Sequence, residues 1–247
     1  MNPAEYDALF RTEDAHWWFR GLWRDVAWAL KRFAPRRQEE LRWLDAGSGT
    51  GGLLASLSSR GGFRLAAGLE LSSDGLTLAR RRKLPALVRG SVERLPVRDA
   101  SLDAITSIDV LCHRSVEDDA TLAEAARCLA PGGILILHVP AYQWLMSAHD
   151  RAVSNDRRFV RSEVERLVVG AGLTPLLATY RNSLLFPLIA VRRLATLGRT
   201  GPERSDVGPA RPLLGAVGSA ALCVESGLRR VGFRAPFGLS VFCVAAR

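Results

Sequence analysis

Short strand-like runs and longer helical stretches take turns along this chain. Residues 5–34 carry Phe10, Trp17, Trp18, Trp23 and Trp28 interleaved with charge, a helical pattern that Pro35 ends. From there the alternation is regular. Residues 41–46 read as a strand and 52–59 as a helix. A strand over 65–71 leads to a helix from a Ser72 cap to about 83, and 86–88 is a short strand. A strand over 102–111 precedes a helix over 116–129, stopped by Pro131-Gly132-Gly133. Residues 134–139 are apolar almost throughout, as a strand covered on both faces should be. A helix over 162–171 closes at Gly172, and strands follow over 173–180 and 239–246. This βαβα spacing predicts an α/β fold with a doubly wound, parallel sheet.

About 58 residues separate the last two strands. They hold two apolar helical stretches, about 183–197 and 211–231, around a Gly/Pro/Ser/Asp loop at 198–210 that is the best candidate for disorder. Leu184, Leu185, Leu188, Val191 and Leu194 form a helical apolar stripe, with Pro187 tolerated in the first turn. Such a segment serves as a cover over a site, a dimer contact or a peripheral membrane contact; its position between the final strands suits a cover. The chain thus divides into an N-terminal helical lid (1–35), a core (36–181 with 239–247) and a helical insertion (182–238).

Composition changes this picture little. With 48% hydrophobic and 24% charged residues, the chain reads as a soluble globular protein, monomer or homodimer. No basic start with an apolar run marks a leader, and the longest nearly uncharged apolar stretch, about 212–224, falls short of the ~20 residues a membrane span needs. A cytoplasmic location is expected. The net charge of +9 permits nucleic-acid or membrane contact, but the arginines are spread out. Their one tight run, Arg80-Arg81-Arg82-Lys83, ends a predicted helix, where cations suit the dipole; it is a solvated helix end or a binding patch. Cys112, Cys128, Cys223 and Cys243 are widely spaced, which predicts reduced, buried thiols and no metal site.

The chemistry concentrates at 44–52, LDAGSGTGG. Its glycines satisfy G-x-G-x-x-G, the dinucleotide fingerprint, and also the D-x-G-x-G-x-G loop of proteins that bind S-adenosylmethionine. Both need glycines so that backbone can approach the ligand, a helix N-terminus beyond, and an acid at the end of the second strand for ribose hydroxyls, here Glu70. Asp45 discriminates. A carboxylate two residues ahead of the first glycine repels a pyrophosphate but favours the sulfonium and ammonium of S-adenosylmethionine. In a chain of charge +9, the acids at predicted strand ends, Asp45, Glu70 and Asp109, favour a cationic ligand.

The wider pattern resembles the class I S-adenosylmethionine-dependent methyltransferases. LDAGSGTGG is similar to their first motif, GLELS to their ribose-binding strand end, GSVERLPVRDASLDAITSIDVLCH to their "DAE-LPF-D-SFD-I...DVLEH" stretch, and LAPGGILILHVPA to their turn and fifth strand, in the right order over about 41–141. EDAHWWFRG, AYQWLMSAHD, RRF and PFGLSVFCVAAR further resemble a bacterial "HWWF...HD...RRY" subfamily, often linked to cell-envelope sugar or natural-product pathways. The resemblance implies a Rossmann-like sheet of seven mostly parallel strands with helices on both faces and the last strand antiparallel. This chain carries Ser91 where the family has an acid for the adenine amine, Asn155-Asp156 for its His-Tyr, Cys112 for the acid of "DVLEH", and Leu22 for an Arg.

The resemblance implies methyl transfer to a small-molecule acceptor by in-line displacement. Holding nucleophile and methyl at near-attack distance supplies roughly 7–11 kcal/mol; a general base adds roughly 10²–10⁴-fold where the acceptor is protonated. Gly47, Gly49 and Gly51 shape the cofactor loop, and Asp45 acts on the methionine end directly or by orienting the loop. Glu70, followed by Leu71, takes the ribose; Ser91 and Val92 flank the adenine; Asp109 flanks the methionine end. Trp17 and Arg20, with Trp18, close over the cofactor, or the tryptophans pack the first helix on the sheet. His149, oriented by Asp150, and His113 are candidate bases, with packing roles open for both; His138 reads as a core histidine. Tyr142, Arg157 and Arg158 are the acceptor-side candidates, and the arginine pair suits an anionic acceptor, with a surface-helix role the other reading. Rival readings are a cofactor-binding protein that does not methylate, such as a cyclase or sensor; a nicotinamide oxidoreductase, which lacks a Tyr-x-x-x-Lys relay here; and a nucleic-acid methyltransferase, which lacks an RNA-binding module or nucleobase motif.

Overall fold

The structure is a computed structural model that describes residues 2–84, 86–195 and 212–247. The predicted loop at 198–210 and the side chain of Leu194 lie outside the described residues. The expected N-terminal helix is two, α1 (Pro3–Thr12) and α2 (Trp17–Phe33). His16 adopts an extended conformation, and its ring accepts from the Trp18 amide at 3.3 Å, so a new cap starts a new helix there. Then follow β1 (Arg42–Ala46), α3 (Gly52–Ser58), β2 (Leu65–Glu70), α4 (Ser73–Arg80), β3 (Leu87–Arg89), β4 (Leu102–Ile108), α5 (Asp118–Cys128) and β5 (Leu129–Pro140). A short α6 (Ala148–Ala152), unexpected from the pattern, precedes α7 (Arg161–Gly170), β6 (Thr174–Arg181), α8 (Phe186–Ala195), α9 (Pro212–Arg230) and β7 (Ser240–Ala246). Ser72 caps α4 as expected, its hydroxyl accepting from Asp74 and Gly75. β5 starts earlier than expected: Leu129 pairs with Leu102, and a register shift before the Ala104–Ile134 pair absorbs Pro131-Gly132-Gly133 inside the strand.

The seven strands lie in the order β3-β2-β1-β4-β5-β7-β6. β1 to β5 pair in parallel, and β7 runs antiparallel to both β5 and β6. This is the Rossmann-like sheet of seven strands with an antiparallel last strand that the resemblance implies. Alternation along β5 serves two cores: Leu135, Leu137 and Val139 meet the buried residues of α5 and α7, while Ile134 and Ile136 meet Leu22, Val26 and Leu54 of α2 and α3. The chain order reverses between β1 and β4, which brings the carboxyl ends of β1, β2 and β4 to one crevice, where open α/β sheets hold ligands. Three cysteines are buried as expected, but Cys223 is exposed on α9. Among the described residues, no helix is long and apolar enough to cross a membrane.

Candidate functional site

The loop after β1 turns back on itself through three positive-φ glycines, Gly47, Gly49 and Gly51. The amides of Gly47 and Ser48 both donate to the Leu69 carbonyl, tying the loop to the end of β2. Gly47 has no substitute: its φ is +85°, and a Cβ there would overlap Val110, which follows β4. Glu70 ends β2 with its carboxylate turned to this loop. It accepts from the Gly49 and Ser72 amides, both at 2.8 Å, and from the Tyr6 hydroxyl at 3.2 Å. Burial, and then the Glu70 charge, push the Tyr6 phenol up to about 12, so it stays a donor.

Sequence reasoning missed Tyr6 because nothing in α1 signals a site. The contact follows from a staple further along. Arg82 donates to the Thr50 carbonyl at 2.9 Å, to Glu13 at 2.8 Å and to Asp14 at 2.8 Å, and lies over the Phe10 ring. The Thr50 hydroxyl donates to Glu13. Arg82 is therefore neither a free helix end nor a ligand patch: it fastens α1 across the glycine loop. Burial raises Glu13 to about 7 against the opposing pull of Thr50 and Arg82.

Asp45 lies inside the sheet, 3% exposed, accepting at 2.7 Å from the Thr106 hydroxyl, which in turn accepts from the Trp43 indole. Burial lifts it to about 7, with Glu70 adding to the rise. Of its two expected modes, direct contact does not fit this geometry; orienting the loop does. The carboxylate open to the crevice is Asp109, with its side chain 39% exposed. Its backbone is at φ +54°, unusual for a residue other than glycine. Two bonds to one residue hold it: its amide donates to the His138 carbonyl at 2.8 Å, and its carboxylate meets His138 Nδ1 at 2.9 Å. His138 Nε2 meets the Ser240 hydroxyl at 2.8 Å, and Trp18 stands edge-on to the imidazole. The expected core histidine is thus buried and satisfied, and it also fixes a site carboxylate.

Other expected residues fall less simply. Leu71 is exposed beside Glu70, Val92 is buried in the core, and the Ser91 hydroxyl accepts from the Glu93 amide. Trp17 is not over the crevice: it packs on Gly218 of α9, and Arg20 is exposed. Trp18, between His138 and Arg181, is the tryptophan the fold brings to the site side. The arginine pair is no open anion fork. Arg157 binds Asp118 at 2.7 Å and the carbonyls of Leu111 and Val116; Arg158 binds Asp150 and the Ala141 carbonyl. They clamp the segment after β5 to its neighbours. Asp150, which also accepts from Ser147, anchors Arg158 first. His149 is half-buried on α6. His113 follows β4, its Nδ1 3.4 Å from the Ser154 carbonyl, and burial lowers its pKa, keeping it neutral at pH 7. Tyr142 stacks on Tyr180 with centroids 5.3 Å apart and meets Phe186 at 5.6 Å. Two of the departures from the family pattern touch each other: the Cys112 thiol donates to Asn155 Oδ1 at 3.2 Å.

Residues 44–137 match the model of a methyltransferase domain family. The chain is 37% identical over 117 residues to the biotin biosynthesis bifunctional protein BioHC of Cellvibrio japonicus, and 37% identical over 103 residues to a fatty-acid O-methyltransferase of Mycolicibacterium smegmatis. These matches cover 46% and 40% of the chain, and span 22% and 36% of those proteins' own lengths. Among solved structures, a chain of the complex between the Haloferax volcanii Trm112 methyltransferase activator and a methyltransferase is similar at a TM-score of 0.62, with 23% identity over 99% of this chain and 93% of that one.

The cradle fits S-adenosylmethionine. At Gly49 the backbone is open, a Cβ there meeting nothing nearer than Leu9 at 3.9 Å; Glu70 beside it offers a carboxylate suited to a vicinal diol, and Asp109 offers a carboxylate suited to an ammonium group.

Proposed function

We propose that the chain is an S-adenosylmethionine-dependent methyltransferase acting on a small-molecule acceptor. One observation carries the reading: Glu70, at the end of β2, is held beside the glycine loop by the amides of Gly49 and of Ser72, the cap of α4. The methyltransferase-domain match over 44–137 supports it. When bound, the cofactor supplies an already activated methyl group. The chain's own residues then hold and shield. Glu70 accepts from the ribose hydroxyls while Tyr6 keeps its carboxylate oriented. Leu71 offers an apolar surface to the adenine beside Ser91. Asp109, fixed by His138, attracts the ammonium, and Asp45 shapes the loop from beneath. Trp18 closes the site from α2 in place of Trp17 and Arg20.

On the acceptor side, Tyr142 and Phe186 form an aromatic wall suited to an apolar or planar molecule. His113, neutral and just beyond β4, is the first candidate to take the acceptor's proton, and His149 the second. Because Arg157 and Arg158 are engaged within the chain, an anionic acceptor is not part of this reading.

A thermal-shift comparison tests it. Ligand at about 100 times Kd stabilises by ~2.7 kcal/mol, or about 5–10 °C for a chain of this size. S-adenosylhomocysteine and S-adenosylmethionine should each give such a shift and NADH none. A shift with NADH alone would overturn the reading in favour of an oxidoreductase.

A further inference from the structure

Helix α9 buries charge. Leu222 packs against Gly21 of α2, and beyond it the side turned to the rest of the molecule carries Glu225 and Arg229, both buried, with Ser226. Arg229 pairs with Asp25 of α2 at 2.7 Å, and Asp25 pairs with the fully buried Arg181 of β6 at 2.8 Å and accepts from Ser226 at 2.7 Å. Glu225 accepts from the amides of Asn182 and Ser183, both at 2.8 Å. The outward side is aliphatic. Val217, Val224, Leu228 and Val231 are 41–81% exposed. Their spacing of seven, four and three residues puts them on one stripe of the helix. A surface helix of a globular protein has the opposite polarity, so among the described residues this stripe is left without a partner.

The neighbouring segment repeats the pattern. Leu184, Leu188 and Val191 are exposed at spacings of four and three. The two segments meet where Phe237, after α9, contacts Phe186 at 5.3 Å. Phe233 and Phe237 add exposed rings beyond the end of α9.

We propose that this face docks on an anionic lipid bilayer. Charge selects the occupant. Across 183–195 and 212–239 there is one acid, Glu225, and it is buried; Arg230 and Arg234 are exposed. A second copy would set like-charged arginines against each other, with no exposed acid among the described residues of these segments to pair them. A protein partner would look for hydrogen bonds along the interface, about one per 100–200 Å², and a stripe of Val, Leu and Phe offers none. An anionic bilayer satisfies both features: apolar side chains enter the acyl boundary and the arginines reach lipid phosphates. On the methyltransferase reading, the Phe237–Phe186–Tyr142 row leads from this face to the acceptor wall, so the acceptor would be lipid-borne.

Flotation of the full chain with vesicles tests docking without any turnover, so its outcome is independent of the methyltransferase reading. The chain should float with vesicles of equal parts phosphatidylcholine and phosphatidylglycerol, less with phosphatidylcholine alone, and less as salt rises. Val231→Asp with Phe233→Asp should lower binding by about tenfold, as should Arg230→Glu with Arg234→Glu; both pairs alter exposed side chains, and an unchanged Tm would show that the fold is intact. No flotation with either vesicle, or flotation that neither pair of substitutions alters, would overturn the proposal. A wild-type dimer in solution that Val231→Asp splits would assign the face to a second copy instead.

Discussion

The carboxyl ends of β1, β2 and β4 and the helix α9 bury opposite chemistry. At the strand ends, apolar side chains fill the interior and carboxylates stand at the rim, held by loop amides or by a histidine. In α9, Glu225 and Arg229 go inside while Val217, Val224 and Leu228 face out. In both regions the buried carboxylates find partners within the chain. They differ in what is left over: a shaped polar crevice in one, an apolar stripe in the other. The first leftover suits a small cationic ligand and the second an extended apolar surface. Polarity alone therefore distinguishes two different kinds of surface on one chain.

The comparison breaks most visibly at Asp25. Burial alone would raise its pKa, and Arg181 and Arg229 hold it below the usual range instead. Asp25→Ala leaves two buried guanidiniums without their shared carboxylate, which costs ~3–5 kcal/mol and lowers Tm by on the order of 10 °C. Calorimetric melting would check this; an unchanged Tm would mean that α9's inner face is not what binds it to α2 and β6.

A smaller effect sharpens the strand-end half. Asp45 titrates near 7 in the fold against 3.8 unfolded. The native state therefore holds this proton more tightly, and the stability it contributes is lost as pH rises from about 4 to about 7. Asp45→Asn keeps an oxygen for Thr106 and cannot ionise. Denaturant unfolding at pH 5 and pH 8 should show the variant gaining on the wild type at the higher pH. Glu13 shifts in the same direction but is present in both proteins, so it cancels.

The parts of this molecule that were legible in the sequence are those governed by local rules. Hydrophobic patterning located the seven strands and most helices, Gly47, Gly49 and Gly51 marked the turn after β1 because its positive φ angles favour glycine, and Glu70 stood out as the acid that ends β2. What escaped depends on distant partners. The helix break at 13–16 turns on a histidine cap. Tyr6 reaches Glu70 only because Arg82, 69 residues after Glu13, staples α1 down. Arg157 and Arg158 look like an open fork until Asp118 and Asp150 are seen to occupy them. The apolar stretch 211–231 does not itself say which side faces in; the partners of Leu222, Glu225 and Arg229 do.

The most direct test of the central claim is calorimetric titration of S-adenosylhomocysteine into the wild type and Glu70→Ala, with melting of each to confirm the fold. A hydrogen-bonded charged partner is worth about 1.5–3 kcal/mol, so the account predicts binding by the wild type and a loss of about 10–100-fold in the variant. Equal affinity in a folded variant would contradict it, and would mean that the carboxylate at the end of β2 serves the loop alone.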